Sequence, residues 1–245
     1  MGKCLRFVSV NIEGDKHLEK VIPFLQKQRP DVFCLQELQE QDIPLFEEEL
    51  GVRMLFRSMD EGLKNKKGES LPPRGIGIGS ALPLLSQESF LYKNMPQPPV
   101  VEDQRVANDD DRIFLIASFD FEDEIYTIGT THFTWSMDGE STPEQLHDMA
   151  VMLEHLKDVE SVAFAGDFNA PRGGATFAEL SSKYKDNIPP SYTTSIDGNL
   201  HRAGHLERMV DGLFTTPDYE ARGVELVPGI SDHCAILATI CKRVE

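Results

Sequence analysis

Near the middle of the chain an apolar run, Val162-Ala163-Phe164-Ala165, passes through Gly166 into Asp167, Phe168 and Asn169, then into Pro171 and a Gly173-Gly174 pair. Strand side chains alternate faces, so Asp167 and Asn169 share one side of the strand end and Phe168 takes the other. Pro171 stops the strand. Burying a carboxylate and a carboxamide without partners costs on the order of several kcal/mol. They therefore either cap the following loop as an Asx turn or face a polar site. The pattern recurs at other strand ends. Asn11 and Glu13 follow "LRFVSVN", Gln36 and Glu37 close "VFCLQE", and His132 closes "IYTIGTTH". Asp211 interrupts "RMVDGLF", while Ser231, Asp232 and His233 precede the last apolar run. Several strands delivering Asn, Glu, His and Asp from their ends build a site by convergence.

These residue types suit hydrolysis of a phosphate ester assisted by a hard cation. Mg²⁺ takes oxygen ligands, usually one or two carboxylates with water and substrate phosphate. Glu37, Glu13 and Asp232 could supply them. The reaction then needs an activated water, a group that orients it and donors for the charge on phosphorus. Asp167, Asn169, His132 and His233 match those needs, and Asp211 could hold the His233 imidazole in one tautomer.

The elements that must position these groups alternate. Strands are expected over 5–12, 32–37 and 52–57, two more within 76–92, and a hairpin from "RIFLIASFDF" and "EIYTIGTTHF" with an acidic turn. Helices are expected over 17–28, with Pro23 awkward unless it lies in the first turn, and over 42–50. A third helix starts at "STPEQ", where Ser141 or Thr142 caps and Pro143 takes the first position. The strand holding Asp167 follows, and three more close the chain. With no linker-like stretch, the order describes one α/β domain over 1–245 whose helices cover sheet faces. The length of 245 residues, 40% hydrophobic and 27% charged, is compatible with that.

Charge and cysteines narrow the setting. The net charge of −17 argues against nonspecific gripping of nucleic acid, which relies on a basic face. The one basic cluster, "LKNKKGESLPPRG" over 63–75, is a loop that is either solvated or meets an anionic substrate. Cys4, Cys34, Cys234 and Cys241 lie in apolar runs without CxxC spacing and are expected to be reduced, buried residues. With no leader of secretory length and no apolar run of about 20 residues, the expected location is the cytoplasm, with no membrane and no obligate protein partner.

The pieces "VNIEG", "LQE", "GTTHF", "AGDFN", "VDGLF" and "SDHCAIL", in this order over nearly the whole chain, resemble the endonuclease/exonuclease/phosphatase superfamily of metal-dependent phosphoesterases. The resemblance implies a four-layer α-β-β-α sandwich of two packed mixed sheets flanked by helices, with the site at one end of the sheets. It implies Mg²⁺ or Mn²⁺ held mainly by Glu37, with Asn11 and Glu13 beside it and Asp232 near. Asp167 would activate or place the attacking water, and Asn169 would orient it or the phosphate. His233, oriented by Asp211, would stabilise the transition state, and His132 would contact the phosphate or help protonate the leaving oxygen.

Two departures stand out. The tyrosine usual in members that cut DNA at abasic sites has no convincing counterpart between 80 and 112, and "GIGIGS" replaces the common "G-N-A". His132 in "THF" is similar instead to the histidine of the branches with nucleases, deadenylases and lipid phosphodiesterases.

The expected function is therefore a Mg²⁺- or Mn²⁺-dependent phosphodiesterase for nucleic acid or a nucleotide-like ester, single-stranded nucleic acid being one candidate. The alternative is a phosphatase or phosphodiesterase of a small or lipid-derived phosphate, which the acidic surface fits better than a long polyanion. A catalytically dead scaffold would have no physical need for the intact set of polar residues. Trp135 could stack on a base or pack under its loop, and Arg202, in "GNLHRAGHLERMVD", could face substrate. His17, His147, His155, His201 and His205 are read as structural or surface residues.

Overall fold

Two strands with apolar centres and polar C-terminal ends, β1 (Cys4–Asn11) and β2 (Val32–Gln39), run parallel through the helix α1 (Leu18–Gln28). They form the middle of a six-stranded sheet ordered β11-β12-β1-β2-β4-β3. The other members are β3 (Arg53–Asp60), β4 (Arg74–Ser80), β11 (Tyr219–Val227) and β12 (Ala235–Lys242). The second sheet is ordered β5-β6-β7-β8-β10-β9. It comprises β5 (Leu84–Lys93), β6 (Arg112–Phe121), β7 (Glu124–His132), β8 (Ala163–Asp167), β9 (Lys185–Asp186) and β10 (Asp211–Thr215). Here β7 and β8 are the parallel pair, joined through α3 (Pro143–Leu156). The computed structural model describes residues 3–60, 69–94 and 110–243. Residues 63–68 of the basic cluster, and 102–109 of the acid-rich stretch 102–124, therefore lie outside the described residues.

Three apolar cores separate four layers. Leu5, Phe7, Ile76, Leu115, Ile128 and Leu213 pack the two sheets face to face. Val21, Leu25 and Phe46 join α1 and α2 (Ile43–Leu50) to the outer face of the first sheet. Met149, Met152 and Leu156 join α3 to Phe164 and Phe214 of the second. The central strands, such as β8 and β10, are thus covered on both faces, which is why their apolar residues form near-continuous runs, whereas the edge strand β5 stays largely exposed. The fold is the α/β sandwich that the sequence implied, two mixed sheets flanked by helices.

A local signal sets the start of α3. Thr142 caps α3 by accepting the Gln145 N–H at 3.1 Å, with Pro143 at the first helical position. Pro23 lies inside α1 rather than in its first turn; it is exposed there, and the buried face of Val21, Ile22, Phe24 and Leu25 holds the helix through the missing hydrogen bond. The seven-residue helix α4 (Ala175–Ser181) and the two-residue β9 are not anticipated by the sequence pattern. Both are too short to show a period.

The cysteine reading needs correction. Cys4 and Cys241 form a disulfide, whereas Cys34 and Cys234 are free and buried. Antiparallel pairing sets Cys4 directly opposite Cys241 on neighbouring strands, although they are 237 residues apart. Such a cross-link stabilises chiefly by restricting the unfolded chain. Cys4→Ser is expected to cost about 2–4 kcal/mol in denaturant unfolding of oxidised protein. Adding reductant should erase the difference from wild type; a gap that persists under reductant would mean the serine perturbs packing instead.

Candidate active site

The two parallel pairs place their C-terminal ends together. β1 ends at Asn11 opposite Gln36 of β2, and β7 ends at His132 opposite Asp167 of β8. β10 enters antiparallel, so its first residue, Asp211, also faces Asp167 across the ladder. His233 sits just before β12 and bridges Ile196. The strand ends thus bring together the side chains that spacing singled out.

Backbone irregularity aims three of them. Glu37 is the extra residue where the β2–β4 register shifts between Gln36 and Leu38, a bulge that redirects its side chain. It has φ +59°, and Glu13 and Asn169 have φ +51° and +49°. Non-glycine residues at such φ cost roughly 1–3 kcal/mol each and gather at functional sites. Asn169 therefore does not continue the strand alternation that the sequence suggested. Asp167 serves both of its possible roles at once. Its Oδ1 accepts the Asn169 N–H at 2.9 Å as an Asx turn, and its Oδ2 faces the site.

Around Oδ2 of Asp167 the polar groups converge. Asn11 Nδ2 donates to it at 3.2 Å and to Glu37 Oε1 at 3.3 Å. His132 Nε2 is 3.5 Å away and His233 Nε2 3.8 Å. His233 Nδ1 is 2.7 Å from Asp211 Oδ2, which fixes the proton on Nδ1 and turns Nε2 toward Asp167. Ser195 Oγ accepts the N–H groups of Val210 and Asp211 and so sets the start of β10. Asn169 Nδ2 donates to the Phe133 carbonyl at 3.0 Å. The buried Gln145 of α3 holds both flanking loops by donating to the carbonyls of Thr134 and Asn169.

Burial and charge push the titratable groups apart. Burial holds down the basicity of His132, outweighing the carboxylates of Asp167 and Glu37. Burial works the same way on His233, but there Asp211 and Asp167 prevail and raise its pKa well above the ordinary imidazole value. The Asp167 carboxyl is raised, first by burial and then by Asp211, against the pull of His233. Burial disfavours the Glu37 carboxylate too, yet Arg74, His132 and Asn11 overcome it and bring the pKa to about 2. Neighbouring titratable groups driven in opposite directions mark candidate acid and base roles.

Sequence reasoning missed Arg74 as a site residue, although it lies in the basic cluster. Its Nη1 donates to Glu37 Oε2 at 2.9 Å, while Asp60 and Asp110 flank its other nitrogens at 3.5 and 4.0 Å. Glu13 and Asp232 stand in a neighbouring group. Glu13 N–H donates to Asn11 Oδ1 at 3.1 Å, and Ser231 Oγ donates to Asp232. Trp135 is 39% exposed three residues past His132. Arg202 is exposed in the loop that leaves Asp197, whose N–H donates to the Asp232 carbonyl. Tyr92, the tyrosine between 80 and 112, is buried, with its hydroxyl on Thr131 and the His132 carbonyl.

The profile of the Endonuclease/Exonuclease/phosphatase family matches residues 8–233. The chain belongs to that family. Its members are phosphoester hydrolases, and the site just described lies within the matched span. No curated protein sequence matches the chain significantly. Among solved structures it is similar to the mannosyl-6-phosphatase Bt3783 of Bacteroides thetaiotaomicron VPI-5482, 14% identical, covering 96% of this chain and 99% of that one at TM-score 0.71. The human Nocturnin catalytic domain with bound sulfate is 14% identical over 98% and 94% of the two chains, at TM-score 0.72. D. rerio TDP2 complexed with a single-strand DNA product is 18% identical over 97% and 99%, at TM-score 0.71. At these identities the likeness shows a shared fold. Among the described residues no helix is long and apolar enough to cross a membrane.

Proposed function

We propose that this family member hydrolyses phosphate esters as a single catalytic domain, with Mg²⁺ or Mn²⁺ as cofactor and a nucleic acid or nucleotide-like diester as substrate. The observation that supports it most is the Asp211–His233–Asp167 series facing Glu37 through Asn11 and His132. The donor set fits a hard divalent ion, because Glu37, Glu13 and Asp232 offer carboxylate oxygens within one end of the sandwich. Glu37 stays ionised throughout the physiological range. A bound cation would offset charge on the phosphoryl oxygens.

Every other step belongs to the chain's own groups. Asp167 Oδ2, more basic than an ordinary carboxylate, accepts a proton from the attacking water. Asn169 keeps the Asp167 carboxyl in place through its N–H, and Asn11 spaces that carboxyl from Glu37. His233, charged near neutrality and braced by Asp211, donates from Nε2 to the phosphoryl oxygen as negative charge builds. His132, held neutral by burial, contacts the phosphate beside the leaving oxygen. Trp135 and Arg202 belong to the substrate rim in this reading.

The net charge of −17 favours a second reading, a small phosphate ester as substrate. One panel decides between them: single-stranded DNA and RNA, an abasic duplex, bis-p-nitrophenyl phosphate, and nucleotide and inositol phosphates, each with and without Mg²⁺ or Mn²⁺. Metal-dependent turnover is expected, and the best substrate selects the reading. Absence of both turnover and metal binding would overturn it.

The His233–Asp211 pair makes a pH prediction. If charged His233 is required, activity falls on the alkaline side as His233 loses its proton. Asp211→Asn removes the strongest neighbour raising that pKa, so the alkaline limb of the kcat profile should move to lower pH. An unmoved limb would assign it to another group.

A further inference from the structure

His17, expected to be structural, stands at the cap position of α1, four residues after Glu13. Its Nε2 is 3.2 Å from Glu13 Oε2, and one donor atom each from Glu13, His17 and Asp232 lie within 4.8 Å of one another. Lys16 binds the other oxygen of Glu13, leaving Oε2 to the histidine. Adjacent ligands of a six-coordinate ion with bonds of about 2.1–2.2 Å stand roughly 3.0–3.1 Å apart, and opposite ones roughly 4.2–4.4 Å. Three donors confined this closely fit one coordination sphere with little movement. His17 is 9% exposed and Asp232 7%, so these two donors have little access to bulk water. An i,i+4 Glu–His contact that only tethers the start of α1 would explain the first distance, but not the approach of Asp232 from the far end of the chain.

We propose that His17 is a nitrogen ligand of the metal centre, together with Glu13 and Asp232, and that it turns the centre from Mg²⁺ toward Mn²⁺ and later first-row ions. The inference rests on the metal-dependent reading above and goes beyond it by naming an imidazole in an otherwise all-oxygen set. Oxygen donors suit Mg²⁺, whereas imidazole favours ions further along the first transition row.

Electron spin-echo spectroscopy of the full chain loaded with Mn²⁺ reads this directly, without turnover. Nitrogen modulation from a coordinated imidazole is expected in wild type, kept in His132→Gln and His233→Gln, and lost in His17→Gln. Titration with Mg²⁺ and Mn²⁺ should show the preference for Mn²⁺ falling at least about ten-fold in His17→Gln. Wild type without nitrogen modulation, or modulation abolished by His132→Gln or His233→Gln, overturns the proposal even if His17→Gln fails to fold. Modulation that survives in folded His17→Gln overturns it as well. Metal-dependent hydrolysis without the nitrogen signal would sink this inference alone, whereas a chain that neither binds Mn²⁺ nor hydrolyses any ester would sink the function with it.

Discussion

Replacing His233 by glutamine is expected to lower kcat about 10³-fold or more, as loss of a preorganised charged donor to a developing oxyanion does. Glutamine keeps a hydrogen-bond donor for Asp211, which alanine would leave buried and unpaired. The measurement is turnover at saturating substrate on whichever ester proves best, beside thermal unfolding from pH 6 to 9. His233 has a folded-state pKa above its unfolded value. Its contribution to stability is therefore complete below about pH 6.5 and is lost as pH rises through the higher folded value. The wild type should exceed the variant in Tm most at pH 6 and least at pH 9. Activity retained within ten-fold would remove His233 from the chemistry.

Asp167→Asn should reduce turnover to a similar extent without a stability penalty at neutral pH. An amide accepts no proton from water, yet its Oδ1 can still accept the Asn169 N–H that shapes the loop. The carboxyl is buried and its pKa raised, so the sign is opposite to that of a salt-bridged acid. Its favourable contribution is present below the ordinary carboxylate pKa and is lost as pH rises through the elevated value. At neutral pH the variant should unfold at the same temperature as wild type or above it, while below about pH 4 the advantage should vanish. Such an exchange of stability for activity is common where a site stores unfavourable charge. A folded Asp167→Asn enzyme with wild-type turnover would show that another group activates the water.

The chain's own letters determined a good deal. Apolar runs ending in polar residues are local features, so Asn11, Glu37, His132, Asp167, Asp211 and His233 could be picked out before any contact was known. Period and punctuation likewise gave α3 a start at Ser141 or Thr142 with Pro143 following, of which the fold uses Thr142, and gave the β6–β7 hairpin an acidic turn, which falls at Glu122 and Asp123. The family's short motifs supplied the sandwich.

Tertiary structure decided what depends on register. Strand pairing joins residues hundreds of positions apart, and no spacing in the sequence records which residue lies opposite which. That is why Cys4 and Cys241 meet as a disulfide although each reads as a buried apolar residue. The bulge at Glu37 is of the same kind, since only the pairing of β2 with β4 shows the extra residue. Arg74 looked like one more charge in a basic loop, yet the β4 register sets it on the Glu37 carboxylate. His17 looked like a helix-end histidine until the fold brought Asp232 beside it. The opposite pKa shifts of His132 and His233 follow from their neighbours across two sheets rather than from their places in the chain. Local sequence chose which groups arrive at the strand ends; the packing of one sheet on the other chose their partners and therefore their charge.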